Sequence, residues 1–192
     1  MEWAKWFRFE MVGTVDELNL LQWMVSNCAL FTKAMKSGQP PFWLSILGSS
    51  GAGKTHLAKR IYGWHRDCGR FETQVKPSES GMPEIVYPRE WCNWTKLASK
   101  LKGNDGYDRL KELEDASFVV IDEIGATRDV SGHVTDCLAN LLSARVGKWT
   151  IITSNLTLGD VQRSVDTRVA SRMLRGGSLV VDVNVRDYNL RK

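Results

Sequence analysis

A chain of 192 residues, 43% hydrophobic and 25% charged, is long enough to bury one sizeable core and excludes a disordered or fibrous protein. No apolar run approaches the length of a membrane span, and a net charge of +4 permits nucleic-acid binding without requiring it. The N-terminus lacks a secretory apolar region and the four cysteines are scattered without a Cys-x-x-Cys pair, which predicts a cytoplasmic protein with buried thiols.

Residues 1–13 carry Trp3, Trp6, Phe7 and Phe9 among basic residues, and read as a tail packed on the domain or an arm for a partner. Thr14-Val15-Asp16-Glu17 is a capping-box signature. Leu18, Leu21, Met24, Cys28, Phe31 and Met35 follow at helical spacing, until Gly38 and Pro40-Pro41 stop the helix. The expected division is therefore an N-terminal tail and amphipathic helix, 1–41, packed on a core of 42–192. Phe42 to Leu47 is apolar enough to be a strand buried in a parallel sheet.

That strand runs into Gly48-Ser49-Ser50-Gly51-Ala52-Gly53-Lys54-Thr55, the Gly-x-x-x-x-Gly-Lys-Thr pattern of a phosphate-binding loop, or Walker A element. Gly51 and Gly53 permit backbone angles that a Cβ resists, so successive N–H groups can point inward at phosphate oxygens. The helix from Lys54 to Cys68 adds the favourable potential of its N-terminus. Lys54 is expected to reach the β- and γ-phosphates of ATP, and the Thr55 hydroxyl to ligate Mg²⁺.

Residues 69–84 turn polar and read as a loop or frayed hairpin, followed by a second strand at Glu84–Tyr87. Residues 89–102 read as a helix, broken by Gly103-Asn104-Asp105-Gly106, with a short helix Tyr107–Leu113 after it. Ser117-Phe118-Val119-Val120-Ile121-Asp122-Glu123 is a buried strand that ends in two acids, a Walker B element. Asp122 suits the Mg²⁺ shell, and Glu123 suits orienting the attacking water. An amphipathic helix through Val134, Leu138 and Leu142 precedes the strand Trp149–Thr153, which delivers Ser154 and Asn155 toward the γ-phosphate. Short helices at Leu158–Ser164 and Asp166–Leu174 follow. Arg168 and Arg172, four apart, share a face of the second. Gly176-Gly177 ends it, and Ser178–Val185 is the last strand before a basic tail. The alternation predicts an α/β fold with a mostly parallel sheet and ligand at the carboxyl ends of its strands. His65 and Cys68, with His133 and Cys137, have spacings a zinc site could use, but read as unrelated positions on two helices.

Three segments together resemble the AAA+ ATPases of the DnaC/IstB group, bacterial replicative-helicase loaders and transposition helpers. They are Asp122-Glu123-Ile124-Gly125, Thr153-Ser154-Asn155-Leu156 and Arg168 to Gly177, and the likeness extends from about Phe7 to Tyr188. The resemblance implies a P-loop NTPase (AAA+ ASCE) core without a C-terminal lid domain. Without that lid a lid arginine is not identifiable, and Arg191 is no more than a candidate for one. It also implies an ATPase that forms a homo-oligomer with the ATP site at the subunit interface, working with a replicative helicase or a transposase. By the same resemblance Asn155 is sensor 1 and Arg172 the arginine finger, with Arg168 the second candidate. The segment 89–113 would face single-stranded DNA, with Arg89, Lys96, Lys100 and Lys102 on phosphates and Trp91, Trp94 and Tyr107 offering ring faces. Loaders of this group carry a separate N-terminal helicase-binding domain, whereas about forty residues precede the first strand here, and no room is expected for the small helical lid domain of larger AAA+ proteins. Two competing expectations are a P-loop small-molecule kinase and an adaptor that binds ATP without hydrolysing it.

Overall fold

In the computed structural model the described residues are 14–67, 74–77, 83–86, 89–102, 106–127 and 129–187. The aromatic tail 1–13, Cys68, the 103–105 breaker and Arg191 lie outside them. In chain order the elements are α1 (Val15–Ser37), β1 (Trp43–Gly48), α2 (Lys54–Asp67), β2 (Gln74–Pro77), β3 (Pro83–Val86), β4 (Arg89–Asn93), α3 (Trp94–Leu101) and α4 (Tyr107–Asp115). Then come β5 (Phe118–Ile124), α5 (His133–Ala144), β6 (Trp149–Ser154), α6 (Leu158–Asp160) with a π-helical turn Val161–Val165, α7 (Thr167–Met173) and β7 (Leu179–Val183).

The central sheet has the order β4-β5-β6-β1-β7, and every pairing in it is parallel. Its inner strands are apolar on both faces because both are covered. Leu47, Val119, Ile121 and Ile152 face a core shared with α3, α4, α5 and α7. Leu44, Ile46, Phe118, Val120 and Ile151 face the second core, under α1 and α2. The result is a three-layer α/β sandwich whose strands all end on one side. β6 lies between β1 and β5, so the segment after β6 emerges between the P-loop and the Walker B acids.

The α1 cap is half of a capping box. Thr14 Oγ1 accepts the Glu17 N–H at 3.2 Å, but the Glu17 carboxylate turns away to Arg186, taking its backbone N–H at 3.0 Å and its guanidinium at 3.0 and 3.2 Å. Gly38, at φ 69°, ends the helix in the left-handed conformation.

One expectation fails here. The helix predicted for 89–102 is a strand, β4, followed by a helix that begins only at Trp94. Asn93 is the reason for the boundary: it stays extended and its side chain caps α3 by accepting the Lys96 N–H at 3.0 Å. The strand expected at Glu84–Tyr87 is β3, and it pairs antiparallel with β2 in a separate hairpin, not in the central sheet.

At the end of the sheet away from the P-loop, Arg145 is fully buried. Its guanidinium donates to the carbonyls of Leu113, Ala116 and Trp149 at 2.6–2.8 Å and to Thr150 Oγ1 at 2.9 Å. Among the described residues, no helix is long and apolar enough to cross a membrane.

Candidate nucleotide-binding site

The P-loop leaves β1 through Gly48, at φ 111°, where a Cβ would stand 2.1 Å from the Val183 carbonyl oxygen of β7. Only glycine fits that approach. Ser49 fastens the loop to the segment after β7: its N–H donates to Val183 O at 3.1 Å and its Oγ accepts the Val185 N–H at 2.9 Å. Gly51 and Gly53 also have positive φ, 71° and 85°. Lys54, 6% exposed, curls back and donates to the carbonyls of Gly48 at 2.9 Å and Ser49 at 2.6 Å. Burial pulls its pKa down from the usual lysine value, and the nearby carboxylates of Asp122, Asp182 and Asp187 oppose that shift.

Asp122 stands behind the loop. Its Oδ1 accepts from Thr55 Oγ1 at 2.8 Å and from Thr153 Oγ1 at 2.5 Å. A hydroxyl and a carboxylate this close are hard oxygen donors of the sort Mg²⁺ takes, with the rest of its octahedron supplied by water and phosphate. Among the described residues no group of three or more His, Cys, Asp or Glu side chains could cage an ion alone. His133 Nε2 meets the Tyr107 hydroxyl at 2.8 Å and Cys137 Sγ at 3.7 Å.

Glu123 has φ 64°, the one non-glycine residue with positive φ among the described residues. Its Oε2 accepts from Asn93 Nδ2 at 2.8 Å. Asn93 thus bridges the acid and the start of α3, and sequence reading missed it, having placed it inside a helix. Lys54, Thr55, Glu123, Thr153, Ser154 and Asn155 share a cleft of about 160 Å³ with Ser50, Gly51, Gly53 and His56. His56 was also missed, although its place directly after Lys54-Thr55 was the available signal. Burial, then Arg60 and Lys59, lowers its pKa.

The arginines lie elsewhere. Arg168 and Arg172 are on α7, and neither lines this cleft. Arg168 is clasped by Asp136 at 2.6 Å and Asp166 at 2.9 Å. Arg172 donates to Ser143 Oγ at 2.5 Å and to the Arg168 carbonyl at 3.1 Å.

The residues expected to meet DNA do not form one face. Trp94 is 3% exposed and belongs to the core, so it offers no ring to a base. Arg89 and Trp91 lie on β4, where Arg89 donates to Tyr62 O at 2.7 Å and Trp91 packs edge-on against Tyr62 at 5.6 Å. Lys96, Lys100 and Lys102 remain exposed on and just after α3.

No family model and no curated protein matches this sequence. Solved structures do match in shape. A DnaC helicase loader superposes with a TM-score of 0.61 at 18% identity, over 94% of this chain and 96% of that one. A DnaI structure gives 0.57 at 16% identity, over 97% and 92%. The replication initiator DnaA, bound to AMPPCP and single-stranded DNA, gives 0.58 at 15% identity over 92% of this chain. This chain spans 48% of that DnaA chain's length. Taken with the all-parallel sheet and the inserted β6, these likenesses establish that the chain has the fold of a P-loop AAA+ ATPase core.

Proposed function

We propose that this protein binds ATP with Mg²⁺, hydrolyses it, and assembles as a homo-oligomer on single-stranded DNA in DNA replication, in the manner of a helicase loader. The observation that carries this reading is the cleft itself, where the cation of Walker A, Glu123 of Walker B and the polar end of β6 converge, with Asp122 behind it on Thr55. Lys54 exchanges two loop carbonyls for phosphate oxygens. Thr55 and Asp122 would hold Mg²⁺, which would supply charge neutralisation at the phosphates. Glu123 orients the attacking water, with Asn93 setting the direction of its carboxylate. Asn155 donates toward the γ-phosphate.

Arg172 is the preferred finger. Arg168 is held by two carboxylates, whereas Arg172 has only a hydroxyl and a carbonyl among the partners described. A guanidinium reaching a neighbour's γ-phosphate stabilises the charge that builds there during transfer. The contact with DNA rests on Lys96, Lys100 and Lys102 as phosphate contacts, in keeping with the single-stranded DNA of the DnaA structure.

Turnover per chain is expected to rise with protein concentration and with single-stranded oligonucleotide, and Arg172→Ala to abolish that rise. Labelled ATP yielding free phosphate fits hydrolysis, while a labelled organic product would mark a kinase. Turnover that answers to a transposase but not to a replicative helicase would reassign the protein as a transposition helper of the IstB kind. Binding of ATP with no turnover at any concentration would leave only the adaptor reading.

A further inference from the structure

Asp122 and Glu123 are consecutive, and consecutive residues in a regular strand point to opposite faces. Yet Asp122 meets Thr55 of the P-loop and Glu123 lines the same cleft. The register of β5 on β6 explains how. Ile121 pairs with Ile152 and Ile124 with Ser154, so two residues of β5, the acids, oppose the single Thr153. A bulge of this kind re-aims a side chain and leaves backbone groups outside the ladder. Its second residue is Glu123, at φ 64°. A non-glycine residue persists there only where its surroundings over-determine it.

Two hydroxyls do so. Thr153 Oγ1 accepts the Glu123 N–H at 3.0 Å while donating to Asp122 Oδ1 at 2.5 Å. Ser154 Oγ donates to the Ile124 carbonyl at 2.8 Å and accepts the Leu156 N–H at 3.1 Å. Both residues are 1% exposed. One hydroxyl takes the backbone group entering Glu123 and the other the carbonyl just beyond it. Ser154 also fastens the turn that carries Asn155.

We propose that Thr153 and Ser154 are positioning residues whose paired hydroxyls hold β5 in the bulged form that brings Asp122 to Thr55 and the next residue, Glu123, into the cleft. The claim deepens the ATP-hydrolysis reading and rests on it. Asn93 restrains the Glu123 side chain; these two restrain its backbone.

The test is Ser154→Ala and Thr153→Val, with Thr153→Ser as the rescue. Ser154→Ala is expected to lower turnover about tenfold. Its ADP affinity, measured without metal, should stay within about twofold, since no P-loop amide is touched. Thr153→Ser keeps the hydroxyl and should keep turnover, while Thr153→Val loses it. In a Glu123→Gln background Ser154→Ala should lose clearly less than it does alone, because the main part of its effect passes through that acid. Unchanged turnover in Ser154→Ala, a matching loss of ADP affinity, or full additivity with Glu123→Gln would each overturn the proposal. Backbone chemical shifts of Glu123 in the ligand-free protein decide it without turnover. They should leave the left-handed range in Ser154→Ala, and if they stay the proposal fails. A wild-type protein that never turns over ATP defeats the hydrolysis reading alone, and the shifts still judge the clamp.

Discussion

Lys54 and Arg145 are both buried cations that donate to backbone carbonyls, and they sit at opposite ends of one sheet. Arg145 takes its acceptors from three places: the end of α4, the residue after it, and the start of β6. Burial pulls its pKa down to about 9, still above neutrality, so it remains charged with four acceptors around it. Lys54 takes both acceptors from its own loop, five and six residues away, and three carboxylates stand near it. Arg145 therefore ties the end of α4 to the start of β6. Lys54 joins nothing distant, and its carbonyls are partners that a phosphate can replace. A buried cation with far-flung partners holds the fold; one with local partners waits for a ligand.

Replacing each cation tests that contrast. Arg145→Met leaves three carbonyls and a hydroxyl without their donor in the core. It is expected to cost about 3–5 kcal/mol in urea unfolding, with ATP affinity of the folded fraction unchanged. A loss below about 1 kcal/mol would show that water or the backbone replaces the guanidinium freely. Lys54→Ala should do the opposite. By calorimetric titration ATP affinity falls at least about a hundredfold, near 2.8 kcal/mol, while the unfolding free energy stays within about 1 kcal/mol. If unfolding suffers as much as binding, the lysine is structural and the contrast is lost.

His65 sharpens the comparison from a third side. It is 2% exposed, its ring packs 4.6 Å from that of Phe118, and burial, helped by the charge of Arg89, drives its pKa from 6.5 to about 4. It is thus a basic group that gives up its proton instead of keeping it. The unfolded chain binds a proton in the window between those values and the folded chain does not. Stability is therefore full above pH 6.5 and declines as pH falls toward 4. The expected loss between pH 7 and pH 5 is about 2 kcal/mol, and His65→Leu should flatten that slope. An unchanged slope in the variant would place the acid sensitivity in other groups.

The parts of the site written contiguously were legible in the sequence. Gly48 to Thr55 and Asp122-Glu123 announce themselves because the loop and the strand end each build their geometry from neighbouring residues. The inserted position of Asn155 followed from order along the chain. The misread element, β4, failed for a physical reason. Trp91, Trp94, Leu97 and Leu101 fall at helical intervals, while Arg89 to Asn93 is an edge strand, mostly half-buried, with no alternation to betray it. With that strand read as a helix, Asn93 cannot be both a cap and a partner of Glu123, and Trp94 passes for an exposed ring. Arg145 gave no signal at all, since its acceptors converge only in three dimensions.

The two-against-one match between β5 and β6 also divides β5 into halves that keep separate phase. Upstream, Phe118 to Ile121 alternate between the two cores; downstream, Asp122 answers to Thr55 and Glu123 to the cleft. A single residue gained or lost within the apolar half would swap its faces, and the sheet would resist it. The same change at the match point would instead erase or double the offset, sending one carboxylate to the wrong side while leaving the apolar half in register. Length changes at that one step are thus a route by which such a fold could shed its chemistry and keep its architecture.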